Sequence, residues 1–414
     1  MNKNLSPCPI GGSIDAIPSK SQAHRLLICA ALADRPSALY CPQSSADIDA
    51  TVSCLRSLGA EIDYVNHSFL IKPIEEPRYG TLDCGESGST LRFLIPVVAA
   101  LGCGAEFVLH GRLAQRPLSP LQELLEEKGI TFSRPAADRL QIQGQLLPGV
   151  YALAGSVSSQ FITGLLLALP LLEGGSEIRL TTELESAPYV ELTLSVLRLF
   201  GLRMPPFAQG WQIPGGLRYH SPGRFRVEGD WSNSAFWLCA GAISRPVKVI
   251  GLDPNSTQGD RQIADILRAF GGELCWEEDG LRVSPAPLKG IDIDVRQIPD
   301  LVPPSALVAA CAQGTTRITG AARLKIKESD RLESISAALR SLGGRVEVTE
   351  DGLIIQGGRL FGGRVHSSND HRIAMMAAIA SSVCASAVRL VGAEAVEKSY
   401  PDFWEDLERL QVTL

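Results

Sequence analysis

Charged residues in this chain are gathered into a few short segments, although only 20% of all residues are charged. Residues 325–332 contain five charged side chains out of eight, at the point where a helix is expected to begin. Residues 115–117, 369–372 and 397–401 add charge before or at other expected helix starts. Buried charges are costly unless they are paired. The segments therefore predict a highly charged active site that binds a small polyanion.

The starts of the expected buried helices indicate the same chemistry. They are rich in Ser and Gly and are interleaved with Lys20, Arg25, Arg92 and Arg372. A helix N-terminus carries free N–H groups and a partial positive charge, and small residues let an anion approach that backbone closely. For one helix alone, ordinary N-capping by Ser, Asp or Asn explains such a start. Because several basic starts recur, anion binding is the better interpretation.

A repeated sequence motif shows which elements must position these residues. A helix-like stretch with a Leu, followed four residues later by a Gly, recurs with the glycines 70, 72, 70 and 72 residues apart. The glycines are Gly59, Gly129, Gly201, Gly271 and Gly343, and a sixth, degraded copy ends at Gln411. Repetition at a nearly fixed period means that the fold is built from copies of one supersecondary unit.

Each copy has the same predicted order of strand, buried helix, strand, surface helix and two strands. The expected buried helices, rich in small apolar residues, are 21–33, 88–101, 159–169, 234–243, 305–312 and 370–382. The surface helix 262–270 is amphipathic, and Gly271 after it has the C-cap position that favours a positive φ. Hairpins are expected at 273–284 and 345–356. The fold class is therefore α/β, with three copies closing around their buried helices to form each of two domains.

The composition excludes several classes of protein. The chain has 414 residues and a net charge of -6, which favours a multidomain globular protein without a nucleic-acid-binding surface. The N-terminus has no apolar core of signal-peptide length, and no apolar stretch is long enough to span a bilayer. Ten cysteines without metal-ligand spacing are typical of reduced thiols in a cytoplasmic protein. We expect no metal or organic cofactor, because neither a ligand cluster nor a nucleotide loop is present.

Nine segments, in order along the chain, carry a resemblance to a known family. They are residues 19–21 with Arg25, 85–92, 115–117, 158–161, 186–189, 298–300, 327–331, 369–372 and Lys398. Each segment is weak alone, but nine of them at compatible spacing are specific. From end to end, the chain resembles the 5-enolpyruvylshikimate-3-phosphate synthase family of enolpyruvyl transferases.

The resemblance implies a fold of two inside-out α/β domains, each of three βαβαββ units, joined by a two-strand hinge. The first domain is then 18–226, and the second is 227–414 together with the N-terminal tail 1–17. We further expect a cytoplasmic monomer with no membrane or nucleic-acid partner. Its two domains are expected to close around an anionic substrate, because cationic helix starts repel each other while the site is empty.

The resemblance also implies a reaction. The enolpyruvyl group of phosphoenolpyruvate moves to the 5-hydroxyl of shikimate 3-phosphate and phosphate is released, by addition–elimination through a tetrahedral intermediate. The reaction belongs to the shikimate pathway to chorismate and the aromatic amino acids. It needs a base for the hydroxyl and an acid for the methylene carbon, and cations for two phosphates and two carboxylates. The charged segments supply each of these groups.

At matching positions, the resemblance assigns roles to single residues. The implied phosphoenolpyruvate ligands are Lys20, Gly88, Arg116, Gln160, Arg331, Arg372 and Lys398. The implied shikimate 3-phosphate ligands are Lys20, Ser21, Arg25, Ser158, Ser159, Gln160, Ser186, Tyr189, Asp300, Arg323 and Lys327. Asp300 is the implied base and Glu328 the implied proton donor, while Lys20 shares proton transfer. A carboxylate among many cations has a lowered pKa, which suits a base better than an acid.

Two positions depart from the pattern of the family. Glu86 stands where many relatives have Asn, and an extra carboxylate there weakens anion binding unless it points away or is paired. Arg323 stands where some relatives have an Asn that is thought to contact the shikimate phosphate. An Arg can make that contact too, so we expect Arg323 among the ligands.

Three alternatives remain open. The related transferase that acts on UDP-N-acetylglucosamine commonly carries a Cys five residues before the position of Arg116, where this chain has Gly111. A non-catalytic anion-binding relative would lack one of the chemical residues, but Lys20, Asp300 and Glu328 are all present. An enzyme that modifies RNA ends is built from similar repeats, but the acidic net charge and the lack of a basic and aromatic surface pattern disfavour it.

Overall fold

The computed structural model of the chain describes residues 1–411, and the last residues of the predicted second domain, 412–414, lie outside the described part. The chain divides into two compact units, each with its own hydrophobic core. The continuous unit is Pro18–Val227, and the discontinuous unit is Met1–Ile17 together with Glu228–Leu414. The boundary after Ile17 is the one expected from the sequence, and the boundary after Val227 lies one residue later than expected.

Helices alternate with short strands in both units. In the continuous unit the α-helices are α1 (Lys20–Ala31), α2 (Ala46–Ser57), α3 (Gly88–Leu101), α4 (Leu121–Glu126), α5 (Ser159–Ala168) and α6 (Ala187–Leu199). In the discontinuous unit they are α7 (Trp231–Ile243), α8 (Ile263–Phe270), α9 (Val302–Cys311), α10 (Arg331–Ser341), α11 (His371–Ala380) and α12 (Phe403–Leu410). Over the described residues, no helix combines the length and the apolar character needed to cross a membrane.

The strands are two to six residues long. The first two, in the discontinuous unit, are β1 (Asn2–Leu5) and β2 (Gly12–Asp15). The continuous unit contributes β3 (Ser37–Tyr40), β4 (Glu61–Val65), β5 (Ser68–Lys72), β6 (Gly80–Asp83), β7 (Ala105–Val108), β8 (Thr131–Ala136), β9 (Arg139–Gln143), β10 (Val150–Leu153), β11 (Ser176–Leu180), β12 (Pro206–Phe207), β13 (Gly210–Ile213) and β14 (Arg224–Arg226). The discontinuous unit resumes with β15 (Val247–Ile250), β16 (Glu273–Glu277), β17 (Gly280–Ser284), β18 (Asp292–Asp294), β19 (Thr315–Thr319), β20 (Arg345–Val348), β21 (Leu353–Gln356), β22 (Gly363–His366) and β23 (Val388–Val391).

Five four-stranded sheets share one strand order, in which a parallel pair is extended by an antiparallel hairpin. In the continuous unit they are β14-β3-β5-β4, β6-β7-β9-β8 and β10-β11-β13-β12. In the discontinuous unit they are β2-β15-β17-β16 and β18-β19-β21-β20, and a three-stranded sheet, β22-β23-β1, accompanies them. The α/β class predicted from the sequence is confirmed.

Three strands pair with partners from a distant part of the chain. β14 pairs in parallel with β3, with Phe225 opposite Leu39. β2 pairs in parallel with β15, with Ile14 opposite Val249. β1 pairs antiparallel with β23. Because of the last two pairings, the N-terminal tail is part of the unit that begins again at residue 228.

The helices with charged starts are apolar on nearly all sides and lie inside the units. In α3 every residue except Ser89 and Leu101 is buried, and all ten residues of α11 are buried. A helix that is apolar all round requires neighbours on every face, and α3 packs against α5 while α7 packs against α9. The charged first residues are therefore held by tightly packed elements.

Two buried helices begin three residues earlier than the sequence indicated. α7 begins after Asp230, because this carboxylate accepts a hydrogen bond from the N–H of Asn233 at 2.6 Å. α9 begins at Val302, and Pro303 and Pro304 occupy its first turn, where a missing N–H removes no bond within the helix. Both predicted starts were wrong, because a run of small residues does not show which earlier side chain caps the helix.

The glycine of the repeated sequence motif has the predicted left-handed conformation. The φ angle is 117° at Gly59, 96° at Gly129, 81° at Gly201, 98° at Gly271 and 88° at Gly343. A side chain at such an angle is strained, which explains the Gly at each of these positions. The predicted positive φ is confirmed in all five copies, and Gly271 is itself the C-cap of α8. In the other four copies the Gly lies one or two residues after the C-cap residue, which is Leu58, Glu127, Phe200 or Leu342.

Candidate active site

A buried charged cluster of the discontinuous unit is centred on Arg331, the first residue of α10. Its side chain is 1% exposed. Its Nη1 lies 2.8 Å from Asp300 Oδ1, its Nη2 2.7 Å from Glu328 Oε2 and its Nε 2.8 Å from Asp370 Oδ2. Burial alone would lower the pKa of Arg331, but the three carboxylates raise it above its usual value. One guanidinium group therefore holds three carboxylates together by charge-assisted hydrogen bonds.

Asp300 is surrounded by cations. It lies in the short 3₁₀ turn Pro299–Leu301, directly before α9. Arg372 Nη2 lies 3.2 Å from its Oδ2, and Arg372 Nη1 lies 3.2 Å from its carbonyl oxygen. Lys327 Nζ is 3.8 Å from its Oδ1. Burial by itself would raise the pKa of Asp300, but Arg372, Lys327 and Arg331 hold it well below its usual range. The carboxylate is therefore ionised at neutral pH.

Asp370 joins the starts of α10 and α11. Its Oδ1 accepts the N–H of Arg372 at 3.0 Å and so caps α11. Its Oδ2 accepts hydrogen bonds from Ser329 Oγ at 3.0 Å and from Arg331. The side chain is completely buried. Because Asp300 precedes α9 and contacts both arginines, the starts of three helices meet at this cluster.

The other predicted residues of this unit lie around the cluster. Lys398 Nζ donates to the carbonyl oxygen of Asn369 at 2.6 Å, directly before α11. Arg323 Nη2 donates to the carbonyl oxygen of Arg296 at 2.7 Å. Lys398 is thus placed at the start of α11, whereas Arg323 fixes the loop at residue 296.

Asp260 is a further carboxylate that interacts with this cluster. It stands in the short 3₁₀ turn before α8, is 2% exposed and accepts a hydrogen bond from Ser232 Oγ in the first turn of α7. Burial and the negative charge of Asp300 raise the pKa of Asp260 to about 6, although Arg372 opposes this shift. The cluster therefore combines one carboxylate of lowered pKa with one of raised pKa.

In the continuous unit, Lys20 opens α1 and is paired with a carboxylate. Its Nζ lies 2.7 Å from Oδ2 of Asp47, which is in the first turn of α2. The two side chains are 17% and 15% exposed. The ion pair is therefore still in contact with solvent.

The start of α3 combines backbone and guanidinium groups. A Cβ atom at Gly88 would lie 2.6 Å from Arg116 Nη1 and 2.7 Å from Arg92 Nη1, so both guanidinium groups lie against the helix start. Ser87 caps the helix, because its hydroxyl oxygen accepts the N–H of Thr90 at 3.2 Å. The first N–H groups of a helix have no partner within the helix. Together with the two guanidinium groups, they form an arrangement suited to an anion.

Gln160 links the starts of α3 and α5. Its Oε1 accepts a hydrogen bond from Arg92 Nη1 at 3.3 Å, and its Nε2 donates to Ser89 Oγ at 3.0 Å. Ser158 caps α5, since its hydroxyl oxygen accepts the N–H of Gln160 at 3.3 Å, and Ser159 beside it is buried. The amide of Gln160 is thereby fixed at the start of α3.

Arg25 is buried and bonded within the continuous unit. Its guanidinium donates to the carbonyl oxygens of Ser21 at 2.5 Å and Tyr189 at 3.0 Å, and to Thr193 Oγ1 at 2.8 Å. Burial lowers the pKa of Arg25 to about 10. Ser186, the residue before α6, has a left-handed φ of 55°. Arg25 therefore fixes the backbone at the starts of α1 and α6, where the predicted ligands Lys20, Ser21, Ser186 and Tyr189 lie.

Glu86 lies against the loop that follows β7. A Cβ atom at Gly111 would be 2.6 Å from Glu86 Oε2. The absence of a side chain at Gly111 thus makes room for the carboxylate that departs from the family pattern.

The predicted site residues form two groups, one within each unit. The continuous unit contains Lys20, Ser21, Arg25, Gly88, Arg116, Ser158, Ser159, Gln160, Ser186 and Tyr189. The discontinuous unit contains Asp300, Arg323, Lys327, Glu328, Arg331, Arg372 and Lys398. Among residues 1–411, no group of three or more His, Cys, Asp or Glu side chains is arranged to hold a metal ion.

Four charged side chains in these contacts received no individual role from the sequence. They are Asp47, Arg92, Asp260 and Asp370. Arg92 and Asp370 carry a usable signal, because each is a charge within or at the start of an otherwise apolar helix. Asp47 and Asp260 carry none, since an Asp near a helix start is explained by its favourable interaction with the helix dipole.

Comparison with known protein families adds an independent observation. The family model of EPSP synthase (3-phosphoshikimate 1-carboxyvinyltransferase) matches residues 6–407. The chain belongs to the EPSP synthase family. The resemblance inferred from the sequence is thereby confirmed.

Curated relatives and solved structures agree with membership of the EPSP synthase family. The 3-phosphoshikimate 1-carboxyvinyltransferases of Clostridium kluyveri and Clostridium acetobutylicum are each 43% identical to the chain, over 98% of the chain and 96% of the relative. An EPSP synthase structure from Acinetobacter baumannii covers 100% of the chain and 98% of its own length, with 26% identity and a TM-score of 0.83. The enolpyruvyl transferase NikO from Streptomyces tendae shares the fold, with 18% identity and a TM-score of 0.76 over 98% of the chain and 97% of NikO.

Proposed function

We propose that this chain is a 3-phosphoshikimate 1-carboxyvinyltransferase, which transfers the enolpyruvyl group of phosphoenolpyruvate to the 5-hydroxyl of shikimate 3-phosphate and releases phosphate. The observation that carries the proposal is the ionised Asp300 held by Arg331 and Arg372 in a member of the EPSP synthase family. An ionised carboxylate can act as the base for a hydroxyl group, and the cations around it suit the binding of polyanions.

The proposed reaction has two steps. Addition forms a bond between the 5-oxygen and C2 of phosphoenolpyruvate, while the hydroxyl proton passes to a base and another proton is added to the methylene carbon. Elimination breaks the bond between C2 and the phosphate oxygen and removes a proton from the new methyl group. We assign the hydroxyl proton to Asp300, the methylene proton to Glu328 and a share in proton transfer to Lys20.

Substrate charge explains how these carboxylates can act. Although burial raises the pKa of Asp300, the neighbouring cations Arg372 and Lys327 hold it low. An anionic substrate bound to the same cations reduces their positive potential and so raises the pKa of Asp300, which makes it a stronger base. Glu328, which also contacts Arg331, is the proposed proton donor and must be protonated when it acts.

For phosphoenolpyruvate, we propose cationic and backbone ligands from both units. In the continuous unit they are Lys20, Gly88, Arg116 and Gln160, and in the discontinuous unit Arg331, Arg372 and Lys398. The position of the Arg116 guanidinium group against Gly88 supports the first set. Guanidinium groups and helix N-termini bind carboxylates and phosphates well.

For shikimate 3-phosphate, we propose hydroxyl and cationic ligands. They are Lys20, Ser21, Arg25, Ser158, Ser159, Gln160, Ser186, Tyr189, Asp300, Arg323 and Lys327. The hydrogen bonds from Arg25 to the backbone of Ser21 and Tyr189 support a shared position for these three ligands.

We further propose that the enzyme is a cytoplasmic monomer.

The proposed function is tested by phosphate release. The purified chain is given phosphoenolpyruvate with either shikimate 3-phosphate or UDP-N-acetylglucosamine. We expect release only with shikimate 3-phosphate. No release with either acceptor, or release only with UDP-N-acetylglucosamine, overturns the proposal.

The role of Asp300 is tested by removing its charge. Asp300→Asn keeps the shape of the side chain but cannot accept the hydroxyl proton, so we expect kcat to fall by about 100-fold or more. Asp294→Asn is the matched control, because Asp294 is exposed and paired with Arg296 on the surface of the same unit. An Asp300→Asn enzyme with the kcat of the control would show that another group is the base.

A further inference from the structure

A chain of four buried polar side chains runs from α1 through α2 to the start of α3. His24 Nδ1 lies 2.7 Å from Thr51 Oγ1, and Thr51 Oγ1 lies 2.7 Å from Thr90 Oγ1. Thr90 Oγ1 lies 2.8 Å from Ser87 Oγ. Each of the four residues is at most 1% exposed. Buried polar groups are costly unless they are hydrogen-bonded, so this chain is a specific connection between three helices.

The hydrogen bonds along this chain run in one direction. The hydroxyl of Thr90 donates to Ser87 Oγ, which also accepts the N–H of Thr90. Because a hydroxyl group has one hydrogen, Thr51 donates to Thr90, and His24 donates to Thr51 through its Nδ1–H. Among the described residues, His24 Nε2 has no hydrogen-bond partner.

His24 is neutral in this position. Burial, together with the charges of Lys20 and Arg25, holds the pKa of His24 well below its usual range. Protonation would place a hydrogen on Nε2, where no described group accepts it, while the ring of Phe93 lies at 6.3 Å in an edge-on arrangement. A neutral imidazole thus supplies one N–H donor without adding to the positive charge at the neighbouring helix starts.

We propose that His24 is a positioning residue for the anion site at the start of α3. By donating to Thr51, it commits both threonine hydroxyls to one direction, so that Ser87 Oγ accepts both the N–H and the hydroxyl of Thr90 and holds the first turn of α3 in one arrangement. That turn then directs the N–H groups of Gly88 and Ser89 toward an anion. The inference rests on the proposed function, in which the anion is phosphoenolpyruvate.

Without the His24 donor, nothing fixes the direction in which the hydroxyl groups of Thr51 and Thr90 donate. Thr90 can then donate to Thr51 instead of Ser87, and the hydroxyl of Ser87 can turn its own hydrogen toward Thr90. Ser87 Oγ can still accept the N–H of Thr90 through a lone pair, but its hydroxyl group must rotate to donate to Thr90, so the first turn has more than one arrangement. Binding of an anion there must then select one of them, which weakens the apparent affinity.

The test compares variants that remove the donor chain with variants that keep it. Thr51→Val removes the hydroxyl with little change in shape, and Thr51→Ser keeps it. His24→Leu removes the donor, and His24→Asn keeps an N–H close to the Nδ1 position. We expect the two disrupting variants to raise KM for phosphoenolpyruvate about tenfold, the scale of one hydrogen bond, with kcat and KM for shikimate 3-phosphate within about twofold. The two conservative variants should restore KM to within about threefold of the unchanged protein.

Thermal unfolding of each variant is measured alongside the kinetics. Equal increases in both KM values, or a loss of kcat that follows a lower unfolding midpoint, overturn the proposal in favour of a packing role. An unchanged KM in Thr51→Val also overturns it. If His24→Leu does not fold, the two Thr51 variants decide alone.

Failure of the proposed function is distinguishable from failure of this inference. If the unchanged protein releases no phosphate from phosphoenolpyruvate with shikimate 3-phosphate, the proposed function fails. Calorimetric binding of phosphoenolpyruvate to the unchanged protein and to Thr51→Val then tests positioning directly. Weaker binding by the variant supports the role of His24, and equal binding or no binding to either protein overturns it.

Discussion

At the scale of single residues, Asp260 and Asp300 differ because their surroundings differ. Asp300 is buried among cations, and Arg372 and Lys327 outweigh the effect of burial on its pKa. Asp260 is buried with the hydroxyl of Ser232 as its hydrogen-bonding partner and with the negative charge of Asp300 acting on it. Carboxylates whose pKa values are moved apart in this way are typical of sites that transfer protons.

The raised pKa of Asp260 predicts a pH-dependent cost to stability. The ionised form is disfavoured in the folded state, so the cost appears as the pH rises through about 4, the usual pKa of an unfolded Asp, and is complete above a pH of about 6. Below about pH 4 both states are protonated and the cost vanishes. We therefore expect Asp260→Asn to stabilise the protein by about 2 kcal/mol more at about pH 8 than at about pH 4, measured by urea unfolding.

An exposed carboxylate on the same unit provides the control for this prediction. Asp265 is 76% exposed in α8, and Asp265→Asn should change the free energy of unfolding by less than about 0.5 kcal/mol at either pH. An effect of Asp260→Asn that is the same at both pH values would contradict the assigned shift.

The sequence identified many of these residues but not their partners. The segment 327–331 was recognisable because charge is concentrated there, and the structure gathers Lys327, Glu328 and Arg331 around Asp300. The pairing of Lys20 with Asp47 was not recognisable. It depends on two helices that meet only after folding, and each residue alone resembles an ordinary residue at a helix start.

At the scale of elements, the start of α3 shows why Gly is required at one position. The two guanidinium groups of Arg116 and Arg92 approach the backbone of Gly88 more closely than any Cβ atom would allow. The φ angle is not the reason, since Gly88 begins a regular helix. Gly is needed here for the space that it leaves beside the helix N-terminus.

Gly88→Ala tests this need for space. The new methyl group would lie 2.6 Å from Arg116 Nη1 and 2.7 Å from Arg92 Nη1, so the flexible ends of both side chains must move. We expect KM for phosphoenolpyruvate to rise about tenfold, because charge-assisted bonds are sensitive to position, while the free energy of unfolding changes by less than about 1 kcal/mol. Steady-state kinetics and urea unfolding measure the two effects.

Gly175→Ala is the matched control in the same unit. Its Cβ atom would meet only the carbonyl oxygen of Ile213 at 3.8 Å, an ordinary contact. If both variants have the KM of the unchanged protein, the guanidinium groups do not hold phosphoenolpyruvate at Gly88.

The elements themselves were largely predictable where the pattern is local. Helix α3 spans Gly88–Leu101, the range that its apolar composition predicted, and the hairpin strands Arg345–Val348 and Leu353–Gln356 also match. The partners of β2 and β14 were not predictable from a local pattern. A strand of three or four residues carries too little information to select a partner that lies far away in sequence.

At the scale of the whole molecule, each unit has a hydrophobic core of its own. The continuous unit includes both members of every strand pair in its sheets, because β14 lies at its C-terminal end. The discontinuous unit depends on β1 and β2, which come from the opposite end of the chain. All strands of the continuous unit therefore lie in one segment of the chain, whereas those of the discontinuous unit lie in two segments.

We expect this difference to appear when segments are produced separately. Residues 18–227 should unfold cooperatively in urea, since they carry a complete core and complete sheets. A segment from Glu228 to the end of the chain lacks β1 and β2, so that β15 and β23 become open sheet edges, and it should aggregate or unfold at lower urea concentration. Circular dichroism during urea titration measures both. Equal cooperativity of the two segments would contradict the prediction.

The pairing of β1 with β23 has a consequence for the order in which the protein is made. Asn2–Leu5 are synthesised long before their partners Val388–Val391. β2 likewise cannot pair until Val247–Ile250 have been synthesised, whereas the continuous unit, 18–227, is synthesised before that point. Contacts of high sequence separation form slowly. β1 therefore stays without its partner strand until Val388–Val391 have been synthesised, and a nascent chain that stalls before residue 388 cannot complete this sheet.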